Sequence, residues 1–336
     1  MIKTINIAVK NIDHVNNYYR LPLNSRLLLG NTEIRVIIHR DPDYFFSGSQ
    51  DSSSNFDILL DFSPSPDLFM KRMPKHYLHV PRFPKTEQLG IYNSVIAEDR
   101  AGEGVLDQFE PVKIFGRPRI SAGSRSSSEW KDFRLGDLKN FYKGETKFVL
   151  KISDGAKGIG QVLFDITKVS PNSLISTIGI TEKLEDLAKT DLATIKHDPS
   201  YSNNIFKMYD FFLSPYIEVE DEWRVLISAK KEISILRRSR EETGSDTFVQ
   251  ANLSSGGFKS LSEEDSSMDH LKPKLRRLAE KMDIIGSLDL YKNKATGQYG
   301  IFEYCNQFGY ETVPYEILEK FNQDMIAFLV ERFTTE

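Results

Sequence analysis

The chain carries a single cysteine, Cys305, among its 336 residues. One thiol excludes an internal disulfide framework and suits a reducing cytoplasm, and a solitary cysteine is more often a small buried residue than a reactive one. No apolar run approaches the roughly 18 residues needed to cross a bilayer. The opening stretch Met1 to Asn6 has no long apolar core of the kind a secretory signal carries. The expectation is a cytoplasmic protein with no membrane partner. A formal net charge of −4 supplies no broad basic field, so nucleic acid has little support as a partner. The 6 histidines are scattered, and even His76 and His79 lack companions for a metal site. No G-x-G-x-x-G follows a strand-like run, which leaves dinucleotide binding unsupported.

What remains is a globular composition, with 40% hydrophobic and 27% charged residues, and a length that exceeds one hydrophobic core, so two or three domains are expected. Short β-like runs at Ile34–Ile38, Phe56–Leu60 and Tyr77–Val80, separated by polar or proline-containing segments, suit a small α/β domain. Ser47 to Asn55 reads as a solvated loop, and Ser121 to Ser128, with five serines, as another loop or a linker. Beyond it, Phe148–Ile152 and Gln161–Ile166 read as strands around the glycine-rich turn Asp154 to Gly160, and Asp221–Ile227 pairs with Glu232–Leu236 across Lys230 and Lys231. After an acidic loop at Ser262 to Asp269, the residues Leu271, Leu275, Leu278 and Met282 recur at helical spacing, with Pro273 in the first turn, where proline is tolerated. Ile317, Phe321, Ile326, Leu329 and Phe333 give a similar closing stripe. Both stripes are read as core-facing.

Three constellations carry chemistry. A nucleotide-binding P-loop or Rossmann loop runs from a strand into a helix, but Gly155-Ala156-Lys157-Gly158-Ile159-Gly160 runs into a β-branched and aromatic stretch. It is therefore either a plain hairpin turn or a flap between antiparallel strands, whose backbone N–H groups can close over a phosphate because glycine has no side chain. Lys151, just before it, would add a point charge there. In the C-terminal part, Asp289 ends an apolar stretch, and Glu303 and Asn306 follow on the far side of a hairpin with its tip at 293–297. Two carboxylates and an amide oxygen are the hard ligands magnesium takes, the rest of its shell being water and substrate phosphate. Between these, Glu222 and Arg224 lie two apart on one strand face, Arg237 and Arg238 follow the next strand, and Asn252 precedes Ser254-Ser255-Gly256-Gly257. Guanidinium groups suit oxyanions by bidentate geometry.

In order and spacing, residues 140–310 resemble the ATP-grasp superfamily, and within it the branch of glutathione synthetase and the RimK-like glutamate ligases. The resemblance implies an ATP-grasp fold of the α/β (α+β) class: an N-terminal α/β domain over 1–95, a linker and lid subdomain over 96–215, and a mixed-sheet core over 216–336. It implies that Lys151 meets the nucleotide phosphates and that Gly155, Lys157, Gly158 and Gly160 belong to a closing lid. Tyr216 and Ile217 fall at the adenine-binding hinge, although Ser214-Pro215 stands where an acidic residue is usual. Glu222 falls near the ribose, Arg224 and Arg238 near the reacting phosphate, and Asn252 in a stretch like the RimK-like F-x-x-N-L-x-x-G-G. Asp289, Glu303 and Asn306 match the magnesium ligands, but Glu303-Tyr304-Cys305-Asn306 has one residue more than the usual E-x-N. Arg100 is a candidate for the basic residue the family carries upstream of its lid. The activity so implied is ATP-dependent carboxylate–amine ligation through an acyl phosphate, with ATP and one or two magnesium ions. The partner is a small molecule or peptide bearing a carboxylate and an amine acceptor. A ligase modifying ribosomal peptides and a catalytically silent nucleotide-binding protein are the alternatives, and homo-oligomerisation is left open.

Overall fold

The computed structural model describes residues 2–10, 24–29, 32–39, 57–61, 76–79, 85–114, 144–152, 162–165, 211–240, 258–305 and 313–334. In the N-terminal part, β1 (Ile2–Lys10), β2 (Asn24–Leu29), β3 (Thr32–His39), β4 (Ile58–Asp61) and β5 (His76–His79) form one sheet in the order β2-β3-β1-β4-β5. β3, β1, β4 and β5 run parallel, and β2 pairs antiparallel with β3. Three of these strands overlap the β-like runs of the sequence. β1 does not, although its isoleucines at 5 and 7 alternate with polar residues and are fully buried. The helix α1 (Lys85–Ala101) follows, burying Leu89, Tyr92, Ile96 and Asp99 at the i, i+3, i+7 spacing of one helical face. Residue 95 falls inside this helix.

β6 (Lys147–Ile152), β7 (Val162–Asp165) and β8 (Phe211–Pro215) make a three-stranded antiparallel sheet with β6 in the centre. The expected strand, turn, strand arrangement around the glycine loop is thus present at both flanks. The C-terminal sheet has the order β11-β10-β9-β12-β13, formed by β9 (Val219–Ile227), β10 (Ile233–Arg240), β11 (Phe258–Glu264), β12 (Gly286–Asn293) and β13 (Tyr299–Cys305). All its pairings are antiparallel. Residues 262–269, expected as a loop, instead finish β11 and then enter a 3₁₀ turn over Ser266–Leu271. The turn forms because Asp265 accepts the Ser267 N–H and because Met268 and Leu271 have a core to enter. It leads directly into α2 (Lys272–Lys281), and α3 (Tyr315–Thr334) closes the chain. The architecture is mixed α/β, with parallel and antiparallel sheets. Among the described residues, no helix is long and apolar enough to cross a membrane.

The two faces of the C-terminal sheet have different partners, and this places the site. Trp223, Val225 and Ile227 of β9, with Leu288 and Leu290 of β12, pack on α1, α2 and the segment from Leu106 to Val112. On the other face, Leu226 and Leu236 join the isoleucines of β1, Ile58 and Leu60 of β4, and the buried side of α3. Each such aliphatic side chain contributes about 1.5–3 kcal/mol by leaving water. That second face is apolar only at one end, and at the other end it carries charge.

Glu110 fastens the β12–β13 hairpin. Its carboxylate accepts from Asn293 Nδ2 at 2.8 Å and Thr296 Oγ1 at 2.9 Å, both at the hairpin tip. Tyr291, buried and tilted against Phe302 with ring centroids 4.6 Å apart, stands in register with Gly300, and a β-carbon at position 300 would overlap its phenol ring. Gly300→Ala is expected to cost about 1–3 kcal/mol, as overpacking does. In denaturant unfolding, the cost should shrink in a Tyr291→Leu background. Equal costs in both backgrounds would mean that the ring is not the obstacle.

Candidate functional site

Strand alternation brings the charges together. Arg224 of β9, Asp289 of β12 and Glu303 of β13 stand opposite one another in consecutive register. Glu222 lies two residues before Arg224 and so shares its face. Arg238 reaches across from β10. Its Nη2 donates to Asp289 Oδ1 at 2.7 Å, while Arg224 donates from Nε to the same oxygen at 3.1 Å and from Nη2 to Oδ2 at 3.4 Å. Arg238 Nη1 also lies 4.0 Å from Glu222 Oε2. Asp289, Arg238 and Glu222 are 3%, 7% and 2% exposed, so these charges are held by one another rather than by water. Burial works against the charged carboxyl of Asp289, but the guanidinium groups of Arg224 and Arg238 outweigh it and hold the group below the usual carboxylate range.

Lys85 completes the cluster, and the sequence reading missed it. As the first residue of α1 it is buried, and its Nζ lies 2.6 Å from Glu303 Oε2. The signal available was Pro84 ahead of a helical stripe at Leu89, Tyr92 and Ile96, which marks Lys85 as a helix start. Arg100, the upstream basic candidate, is occupied elsewhere. It sits in the last turn of α1 and donates to the Phe109 carbonyl at 2.8 Å, an arrangement that fixes the segment after the helix. Lys85, Arg224 and Arg238 thus face Glu222, Asp289 and Glu303, three cations against three carboxylates.

Next to this cluster lies a narrow, mostly apolar slot of about 10 Å³. Its walls come from both sheets and from α1: Leu89, Val149 of β6, the stretch 214–217 at the end of β8, and Ile301 and Phe302 of β13. Tyr216 and Ile217, expected at a hinge, are therefore in the slot wall. The N–H of Tyr216 donates to Lys147 O at 2.8 Å, which pins this stretch to β6. Pro215 has no N–H, so this stretch of the wall offers one backbone donor fewer. Phe302 in the slot and Glu303 in the cluster are adjacent residues, so β13 joins the two.

The extra residue in Glu303-Tyr304-Cys305-Asn306 has a readable consequence. The β12–β13 register is regular from Ser287↔Cys305 to Asp289↔Glu303, and the bulge falls on the other side of Glu303, between Asp289 and Leu290. Tyr304 is buried in the opposite core, so the position two beyond Glu303, on its face, belongs to Cys305. Asn306 lies outside the described residues, as do Gly155, Lys157, Gly158, Gly160 and Asn252. Lys151 is on β6, opposite Phe212 and two positions beyond Val149. Among the described residues no three His, Cys, Asp or Glu side chains converge as a metal shell. Asp289 and Glu303, facing each other across one strand pair, still fit magnesium, which takes one or two protein carboxylates and completes its shell with water and phosphate oxygens.

No protein-family model and no curated protein matches the chain. Among solved structures it is similar to the D-cycloserine synthetase DcsG, at 13% identity and a TM-score of 0.43, over 98% of this chain and 99% of that one. It is also similar to the ATP-grasp ligase PsnB in complex with a minimal precursor, at 11% identity and a TM-score of 0.46, over 97% and 99%. A third is the D-alanine–D-alanine ligase of Bacillus anthracis, at 9% identity and a TM-score of 0.44, over 99% and 98%.

Proposed function

We propose that this chain is an ATP-grasp ligase of the RimK-like and glutathione synthetase kind, joining a carboxylate to an amine at the expense of ATP. The observation that carries the reading is the junction on β13, where a narrow apolar slot meets a buried cluster of three cations and three carboxylates. The slot would hold adenine between Val149 and Phe302, with Tyr216 and Ile217 at its edge and Glu222 toward the ribose. Lys85, Arg224, Arg238 and, from β6, Lys151 would neutralise the polyphosphate. Asp289 and Glu303, with Asn306 as a further candidate, would hold one or two magnesium ions, which would supply charge neutralisation between the phosphates. The glycine loop with Gly155, Lys157, Gly158 and Gly160 would cover the phosphates, and Asn252 would approach the acyl phosphate. The three parts 1–95, 96–215 and 216–336 would act as substrate-facing domain, lid and core.

In this scheme the protein positions and neutralises. The substrate carboxylate attacks the γ-phosphorus of ATP, ADP leaves, and the resulting acyl phosphate is displaced by an amine with release of phosphate. Arg238 and Arg224 stabilise the charge that builds on the transferring phosphoryl oxygens. Incubating the protein with Mg-ATP and pools of amino acids and peptides should release ADP and phosphate only with the correct pair. Release of AMP and pyrophosphate instead would contradict the acyl-phosphate route.

A further inference from the structure

A cleft of about 280 Å³ opens between α2, α3 and the first residues of β10, against about 10 Å³ for the slot on β13. A cavity of about 150 Å³ is enough to hold a benzene ring, so a small organic molecule fits here. Ser234, in the wall of the cleft, lies four residues before Arg238 on β10, a rise of about 13 Å. The cleft is therefore separate from the charged cluster.

Six charged residues line it, and four of them have partners within it or at its rim. Lys272 Nζ donates to Glu264 Oε1 at 2.6 Å and lies 2.9 Å from Asp269 Oδ1, while Arg276 Nη2 lies 3.6 Å from Glu232 Oε2. The other two, Glu316 and Lys320, stand one turn apart on α3. An acid four residues ahead of a lysine is the favourable order for an ion pair along a helix. Among the described residues, however, neither side chain makes an ion pair or a hydrogen bond. Beside them, the buried Ile233 and the half-buried Ile317 give the cleft an apolar wall.

We propose that this cleft is a second, non-catalytic binding site for a free α-amino acid. Its ammonium meets Glu316, its carboxylate meets Lys320, and an apolar side chain lies on Ile233 and Ile317. The choice follows from the charge left over. A simple anion would pair with Lys320 but sit beside the Glu316 carboxylate, and a simple cation would meet the reverse conflict. A zwitterion satisfies both, and its ammonium and carboxylate, one carbon apart, suit two flexible stems rising about 5–6 Å apart from one helix face. The inference does not rest on the nucleotide-binding reading, because no residue of the β13 junction takes part.

Titration calorimetry of the full chain with each of the common L-amino acids would test it, on the wild type, Glu316→Gln and Lys320→Met. Both side chains are exposed, so both variants should fold, with circular dichroism as the check. At least one amino acid with an apolar side chain should bind the wild type, and each substitution should weaken it roughly 5- to 10-fold, the scale of one charged contact in a partly open site. The same ligand stripped of its carboxylate, or of its amine, should bind the wild type more weakly by a similar factor. Absence of binding by every amino acid, or binding that both variants retain in full, would overturn the site. A carboxylic acid that bound as well as its amino acid would refute the zwitterion.

Discussion

Glu303→Gln is expected to lower ADP release by roughly 100-fold or more, the scale on which removing one preorganised electrostatic group acts. Glutamine keeps the length of the side chain and its carbonyl oxygen can still accept from Lys85, which now donates at 2.6 Å to the carboxylate. What is lost is the negative charge facing Asp289 across the β12–β13 pair. The fold should survive at a cost of about 1–3 kcal/mol, since a buried charged donor then has only a neutral acceptor. Assays well below the unfolding midpoint, with circular dichroism as the check on folding, separate the two effects. A folded variant that retained half the wild-type turnover would remove Glu303 from the metal.

The hairpin carrying Asp289 and Glu303 was legible because it is a local object. Two alternating runs flank a five-residue tip whose Gly297 adopts a φ of 70°, and the pairing follows from the tip's position. The β9–β10 pair is legible for the same reason, with Lys231 in the left-handed region at φ 60°. Three things were not legible, and each depends on contacts between distant segments. Lys85 meets Glu303 only because α1 packs on β13, and nothing near residue 85 announces an ion pair. The stretch 262–269 looked like an acidic loop because its charges dominate, yet Asp265 caps the 3₁₀ turn and accepts from Trp223 Nε1 at 2.9 Å, a partner on another strand. Arg224 and Arg238 were readable by residue type only as candidate oxyanion ligands. Their present partner, Asp289, follows from a three-strand register that the sequence does not display. Residue types thus announce what a site can bind, while the pairings within the site depend on the packing of the sheet.

Arg238→Met should be the most damaging substitution for stability, at about 3–5 kcal/mol, the cost of leaving buried charge behind when one partner is removed. Methionine fills a similar volume, so the loss is electrostatic. Asp289 keeps Arg224, at 3.1 and 3.4 Å, while Glu222, 2% exposed, loses the guanidinium 4.0 Å away. Adding Glu222→Gln to Arg238→Met should therefore recover part of the loss, where independent sites would add their costs. The dependence on pH has a definite sign. Asp289 is held below the ordinary carboxylate range of about 4, so its pairing stabilises the native state above that pH and the contribution fades as pH falls through the depressed folded value. Removing Arg238 raises that folded value and takes away part of the contribution. The stability gap between wild type and Arg238→Met, measured by denaturant unfolding, should be full at pH 7 and narrow below about pH 4. A gap that stayed constant down to pH 3 would locate the loss in packing, and the ion pairs of this cluster would then not be what holds Asp289 in place.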